Sequence, residues 1–184
     1  FFNLKIMKNS KNSVISFGET MEGKSYKVLN ERTIRANAGI MFLFGLVTFI
    51  NGFILNNYVV IPYLAGFLLF NFVVAVFINP KFSPTMCVAN WIVRKQTPIY
   101  VGAVQKRFAW SLGIALAATI LGLSLKLVND PKFFPPVCML CLICLMLLFF
   151  ESVFGICVGC KLYYAAIKMN LIKKPEPEQK PNCM

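Results

Sequence analysis

Cys157 and Cys160, in the string FGICVGCK, are the residues in this chain whose type and spacing point most directly to chemistry. Thiols three positions apart lie about one helical turn from each other. They can form a disulfide where the backbone yields, and they react reversibly where something favours the thiolate. Gly155 and Gly159 offer that backbone freedom, and Lys161 supplies a neighbouring cation. Read as the C-terminal end of an apolar helix, however, the pair meets the negative end of the helix dipole, which disfavours a thiolate. Two readings stand side by side: a reversible dithiol, and two small residues packed at a helix end.

The other reactive groups are few. Histidine is absent, which excludes His-ligated haem, His-containing zinc sites and any Ser-His or Cys-His nucleophile pair. The seven cysteines are Cys87, Cys138, Cys141, Cys144, Cys157, Cys160 and Cys183, an odd number set in or beside apolar segments, unlike a secreted disulfide framework. Cys138, Cys141 and Cys144 recur every third residue and read as small residues that let helices approach. Three thiols without a fourth ligand make a poor metal site, so no metal is assigned, and no cofactor is named by any motif. Cys87 shares a side with Cys157 and Cys160, and a fourth ligand would require Cys183 to fold back from the tail.

Glu151 is the one acidic residue inside an apolar segment. A carboxylate in hydrocarbon is costly, so it is expected to face the bundle interior, protonated or paired with Arg35, Lys106 or Arg107. It is a structural lock or a proton carrier for the thiols, although on an ideal helix it points away from Cys157. Asn37, Asn51 and Asn71 are expected to hydrogen-bond between helices.

These groups must be held by an apolar scaffold. Of the 184 residues, 58% are hydrophobic and 14% charged, a composition that indicates a membrane protein. Four segments, at about 35–55, 58–78, 108–128 and 136–157, reach the roughly 20 residues a helix needs to span a bilayer core. The expected fold is therefore an all-α membrane protein of four transmembrane helices, with 35–168 as the membrane domain, loop 79–107 included. A basic segment, 1–34, precedes it, and a disordered Pro-rich tail, 169–184, follows. The first Met is Met7, which makes residues 1–6 candidates for an over-extended reading frame; no signal peptide is visible in the polar stretch ahead of the first span.

Lys and Arg number 19 against 7 Asp and Glu. They fall before the first span, between the second and third, and after the fourth, leaving only Lys126 and Lys132 on the other side. By the positive-inside rule both termini and the central loop are expected to be cytoplasmic, and the excess charge to meet anionic lipid headgroups rather than nucleic acid. In that loop Ser83-Pro84 reads as an N-cap followed by proline at the first helical position. A short interfacial helix is expected to follow, with Trp91, Arg94 and Lys95 at the headgroups and Lys106 and Arg107 at the edge of the third span.

Asn79-Pro80 followed by Ser83-Pro84, the stretch Tyr100 to Trp110 with Gln105-Lys106-Arg107-Phe108, and Glu151 with Phe154-Gly155-Ile156-Cys157 and Gly159-Cys160-Lys161 are long polar and basic strings. On these marks the chain resembles a mostly bacterial membrane family known as domain of unknown function 4395, over approximately residues 29 to 166. The resemblance implies a four-helix integral membrane protein, here of the inner membrane, and no activity.

Three functions are compatible with these features. The first is a thiol-redox or sulfur-transfer module in which Cys157 and Cys160 work with a thioredoxin-like or sulfurtransferase partner and Glu151 carries the proton. The second is a non-catalytic accessory subunit of a larger membrane complex. The third, a small transporter, has neither an inverted repeat nor a discontinuous helix to support it.

Overall fold

The computed structural model describes residues 17–18 and 27–169. The expected tail and most of the N-terminal segment lie outside these residues. The chain folds as strand β1 (Val28–Asn30), helix α1 (Glu31–Phe49), helix α2 (Val60–Val73), helix α3 (Pro84–Val93), strand β2 (Tyr100–Gly102), helix α4 (Ala103–Asn129), helix α5 (Phe134–Phe149) and helix α6 (Val158–Lys168). α1, α2 and α5 each run on into one π-helical turn, Ile50–Ile54, Val74–Ile78 and Phe150–Phe154. With these extensions, four helices are long and apolar enough to cross a membrane: Glu31–Ile54, Val60–Ile78, Ala103–Asn129 and Pro131–Phe154.

The four spans close into a ring in which α1 contacts α2 and α5, and α4 contacts α2 and α5. The buried apolar side chains form three layers along the ring. One end holds Ile34, Met86, Val101 and Trp110, the middle holds Met41, Leu68 and Leu148, and the far end holds Ile61, Leu127 and Val137. Leu43, Phe70, Met139 and Met146 stay exposed on the outside, as lipid-facing residues must.

The β-ribbon, α3 and α6 gather at the first end. β1 and β2 pair antiparallel, Val28 with Gly102 and Asn30 with Tyr100, and so bring the start of α1 beside the start of α4. Each strand has only 3 residues, too short for a period-two pattern, so the sequence gives no sign of it. α3 begins at Pro84 with Ser83 as its N-cap, as expected, but the Ser83 hydroxyl does not cap the helix. It donates instead to Asn71 Oδ1 at 2.8 Å, and the Thr85 hydroxyl donates to the same oxygen at 3.0 Å. Asn71 Nδ2 donates to the Phe67 carbonyl at 2.8 Å, so this fully buried amide is satisfied at both ends and pins the start of α3 to α2. On its other side α3 is held to α1 by the Thr33 hydroxyl, 2.9 Å from Asn90 Oδ1.

The expected interhelical role holds for Asn71 alone, and there toward α3 rather than another span. Asn51 Nδ2 donates to the Val47 carbonyl, and Asn37 Nδ2 lies 3.9 Å from Met41 Sδ, each within its own helix. A side-chain amide can reach a group four residues back along its own helix without any partner, which satisfies Asn51 on an exposed face.

Replacing Asn71 with Leu removes the acceptor that the buried Ser83 and Thr85 hydroxyls share and leaves them only their mutual 3.4 Å contact, for a loss of about 1–3 kcal/mol. Thermal unfolding in detergent should show it, together with faster proteolysis between Asn79 and Ser83. Wild-type melting and cleavage in that variant would contradict the pinning role.

Candidate functional site

The fourth apolar helix does not reach Cys157. Its π-helical turn ends at Phe154, and Gly155 follows with φ +68°, in the left-handed region that glycine occupies without strain. The Ile156 N–H donates to the Phe150 carbonyl at 3.1 Å and closes the helix end. Arg35 of α1 completes it, its guanidinium donating to the carbonyls of Val153 at 2.8 Å and Ser152 at 3.4 Å. A Cβ on Gly155 would stand 3.2 Å from that guanidinium, so the same glycine allows both the turn and the approach of Arg35.

After this break the chain is extended at Cys157 and a new helix begins. Cys157 is the N-cap of α6, and its sulfur accepts the Cys160 N–H at 3.3 Å. This corrects the expectation that the pair lies at a helix C-terminus, on a span ending at 157. The dipole acting on Cys157 has the opposite sign and favours a thiolate. The thiol is held below the ordinary range first by hydrogen bonding from the Cys160 side chain. The Lys106 ammonium and the Cys160 backbone N–H add to this; burial and the Glu151 carboxylate oppose it. Both residues are thiols, with Cys157 3% exposed and Cys160 wholly buried.

α6 reaches this position by lying against the start of α4. Gly159 meets Ala109 so closely that a Cβ there would stand 2.6 Å from the Ala109 Cβ. Gln105 donates to the Tyr164 hydroxyl, and the Phe108 and Tyr163 rings meet at 5.3 Å between centroids. α6 therefore sets the thiols beside the first turn of α4, where Lys106 sits.

Lys106 is the partner of Glu151, at 2.8 Å from Nζ to Oε1, with the lysine 3% exposed and the carboxylate 16%. Of the three cations expected to compete for Glu151, Arg35 caps the helix end and Arg107 is exposed, its guanidinium 5.8 Å from the Phe17 ring. Lys106 is thus an interior residue rather than a lipid or partner contact at the span edge. The Lys106 ammonium acts electrostatically on both thiols as well as on Glu151, and the Glu151 charge is felt at Cys157. The break at Gly155 brings together groups that a continuous helix would have turned apart.

The remaining cysteines stand elsewhere. Cys87 is exposed on α3, its sulfur 3.0 Å from the Lys81 carbonyl. Cys183 lies outside the described residues, and among the described residues no cluster of three or more potential metal ligands occurs. Cys141 and Cys144 line a small apolar cavity of about 40 Å³ with Gly45, Thr48 and Leu145, and Cys138 is half-buried beside them on α5, consistent with packing. Trp91 is exposed on α3 with the Arg94 guanidinium 5.9 Å from its ring centre, and Lys95 is exposed next to it. The Asn37 Oδ1 is buried with no hydrogen-bond partner among the described residues.

Sequence reasoning missed α6 and, with it, the polarity of the thiol site. Signals for both were present: Gly155 as a helix stop, and Leu162, Tyr163, Ala166 and Ile167 recurring at helical spacing beyond it.

A family model described as Domain of unknown function (DUF4395) matches residues 29–168. No curated protein and no solved structure matches the chain.

Removing one member of the ion pair leaves a buried charge, so Lys106→Met alone should destabilise the protein by about 3–5 kcal/mol. Lys106→Met with Glu151→Leu should recover most of that loss, because no charge is then left unpaired. Thermal melting of the single and double variants in detergent measures this. A double variant no more stable than the single one would contradict the pairing.

Proposed function

The chain belongs to the DUF4395 family, whose description assigns no activity, and from that premise we propose that it is a membrane-embedded thiol–disulfide exchange module. Cys157 is its nucleophile, Cys160 its resolving thiol and Lys106 the counter-charge. The observation that carries this reading is the N-cap position of Cys157. A sulfur there receives a backbone N–H, the positive end of a helix dipole and the Lys106 charge, all of which favour the thiolate needed for attack.

The exchange runs in two displacements. The Cys157 thiolate attacks one sulfur of a substrate disulfide, forming a mixed disulfide and expelling the other sulfur as a thiolate. The Cys160 thiolate then attacks the Cys157 sulfur, closing the Cys157–Cys160 disulfide and expelling the second substrate thiolate. Two electrons pass from the pair to the substrate, and two protons leave the pair. A dithiol reductant resets it by the reverse steps.

Glu151 is the carboxylate in reach of this chemistry. Held by Lys106, it can take up a proton as Lys106 turns its charge toward the new thiolate, so that the buried group gains no net charge. A sulfur-transfer variant of the same site would carry the transferred sulfur as a persulfide on Cys157. The positive-inside arrangement of Lys and Arg supports a cytoplasmic position for the pair.

Because the thiol of Cys157 is held low, its thiolate survives to lower pH than that of an ordinary cysteine. In a variant keeping only Cys157 and Cys160, alkylation of Cys157 by iodoacetamide should show a midpoint below the usual pKa of about 8.5. Cys160→Ala removes the largest cause of the lowering and should move that midpoint upward. A midpoint at or above the usual value, unmoved by Cys160→Ala, would sink the proposal.

A further inference from the structure

The surroundings of the thiol pair also carry information about the substrate it accepts. Cys157 is 3% exposed and Cys160 is wholly buried, so neither sulfur offers the surface on which a protein disulfide could line up for displacement. The attacking sulfur, the sulfur attacked and the leaving sulfur must lie nearly in line. A short, flexible molecule meets that condition at a buried thiol more readily than a folded protein does.

Among the described residues, cations outnumber carboxylates around the pair. Lys106 acts on both thiols from α4. Arg35 lies against Gly155, two residues before Cys157, and its guanidinium donates to backbone carbonyls, with no carboxylate paired to it among the described residues. Lys161 directly follows Cys160 and is exposed one helical turn beyond Cys157. Glu151 is the carboxylate at the site, and its charge is taken up by Lys106. The other carboxylates among the described residues are Glu31, one helical turn before Arg35 on α1, and Asp130, which lies at the opposite end of α4.

We propose that the substrate of this dithiol is a small anionic disulfide, R–S–S–R with a carboxylate or sulfonate on each arm, drawn to the pair by Arg35 and the exposed Lys161. The inference rests on the exchange reading above and adds to it the size and charge of the substrate. In balance, Cys157–S⁻ and R–S–S–R give Cys157–S–S–R and R–S⁻. Cys160–S⁻ then gives the Cys157–Cys160 disulfide and a second R–S⁻. The two protons lost by the cysteines end on the two thiols released, and the substrate is reduced by two electrons.

The test uses the full chain in nanodiscs of neutral phosphatidylcholine, with Cys87, Cys138, Cys141, Cys144 and Cys183 replaced by Ala. The probes are two disulfides of similar size and opposite charge, 3,3′-dithiodipropionate and cystamine. Each rate of forming the Cys157–Cys160 disulfide is divided by the rate of the same probe with 2-mercaptoethanol. The normalised rate should favour the anionic probe by about 10-fold or more at low salt, and the preference should shrink at high salt. It should fall at least severalfold in Lys161→Glu, an exposed substitution that leaves the buried ion pair intact. Equal rates, a cationic preference, or faster oxidation by the disulfide of a thioredoxin-type protein would overturn the substrate assignment and leave the dithiol reading standing. If no disulfide forms between Cys157 and Cys160 even with diamide, both fall.

Discussion

An ammonium and a carboxylate buried among apolar helices persist only where they meet, and the contact between Lys106 and Glu151 governs this end of the molecule. Lys106 stands in the first turn of α4, and Glu151 in the π-helical turn that ends the fourth span. Lys106 is almost wholly buried and Glu151 largely so, and the 2.8 Å contact between them constrains the rotation of both helices. That rotation in turn directs Lys106 at the thiols. The pair is therefore a structural lock and the electrostatic frame of the candidate site at once, and the two roles need not compete.

A second constraint acts through the backbone. A helix that ends within or near hydrocarbon must satisfy its last carbonyls, and here Arg35 supplies the donors from a neighbouring helix. Because the span is capped in this way it can stop at Phe154, turn through Gly155 and start α6 at once. The N-terminus so created is what separates Cys157 from an ordinary packed cysteine. Asn71 does comparable work on the other side of the bundle, where one buried amide satisfies two hydroxyls and sets α3 across the ends of the spans.

How much of this was legible in the sequence follows from the kind of signal each feature leaves. Four spans leave long apolar runs, and four helices long and apolar enough to cross a membrane overlap those runs. The third begins earlier than its apolar run, because Lys106 and Arg107 read as an aqueous edge although α4 begins at Ala103 and buries Lys106. Ser83 at the start of α3 was found because proline follows it, yet its hydroxyl is drawn to Asn71, a contact between residues twelve apart that local pattern does not reveal. Glu151 was recognisable as a group in need of a partner, while the choice among three cations depended on packing. The largest error came from one glycine. As a flexible point within a helix, Gly155 puts the thiols at a C-terminus; in the left-handed conformation it ends one helix ahead of the next, and the sign of the local field reverses.

The central claim is that Cys157 and Cys160 form a reversible dithiol held by this frame. Mass-spectrometric mapping of cysteine oxidation in native membranes, before and after a brief diamide challenge and again after dithiothreitol, tests it most directly. The account predicts an intramolecular Cys157–Cys160 disulfide that appears with the oxidant and disappears with the reductant, ahead of any change at Cys138, Cys141 or Cys144. Thiols at 157 and 160 that survive the challenge while other cysteines oxidise would contradict it.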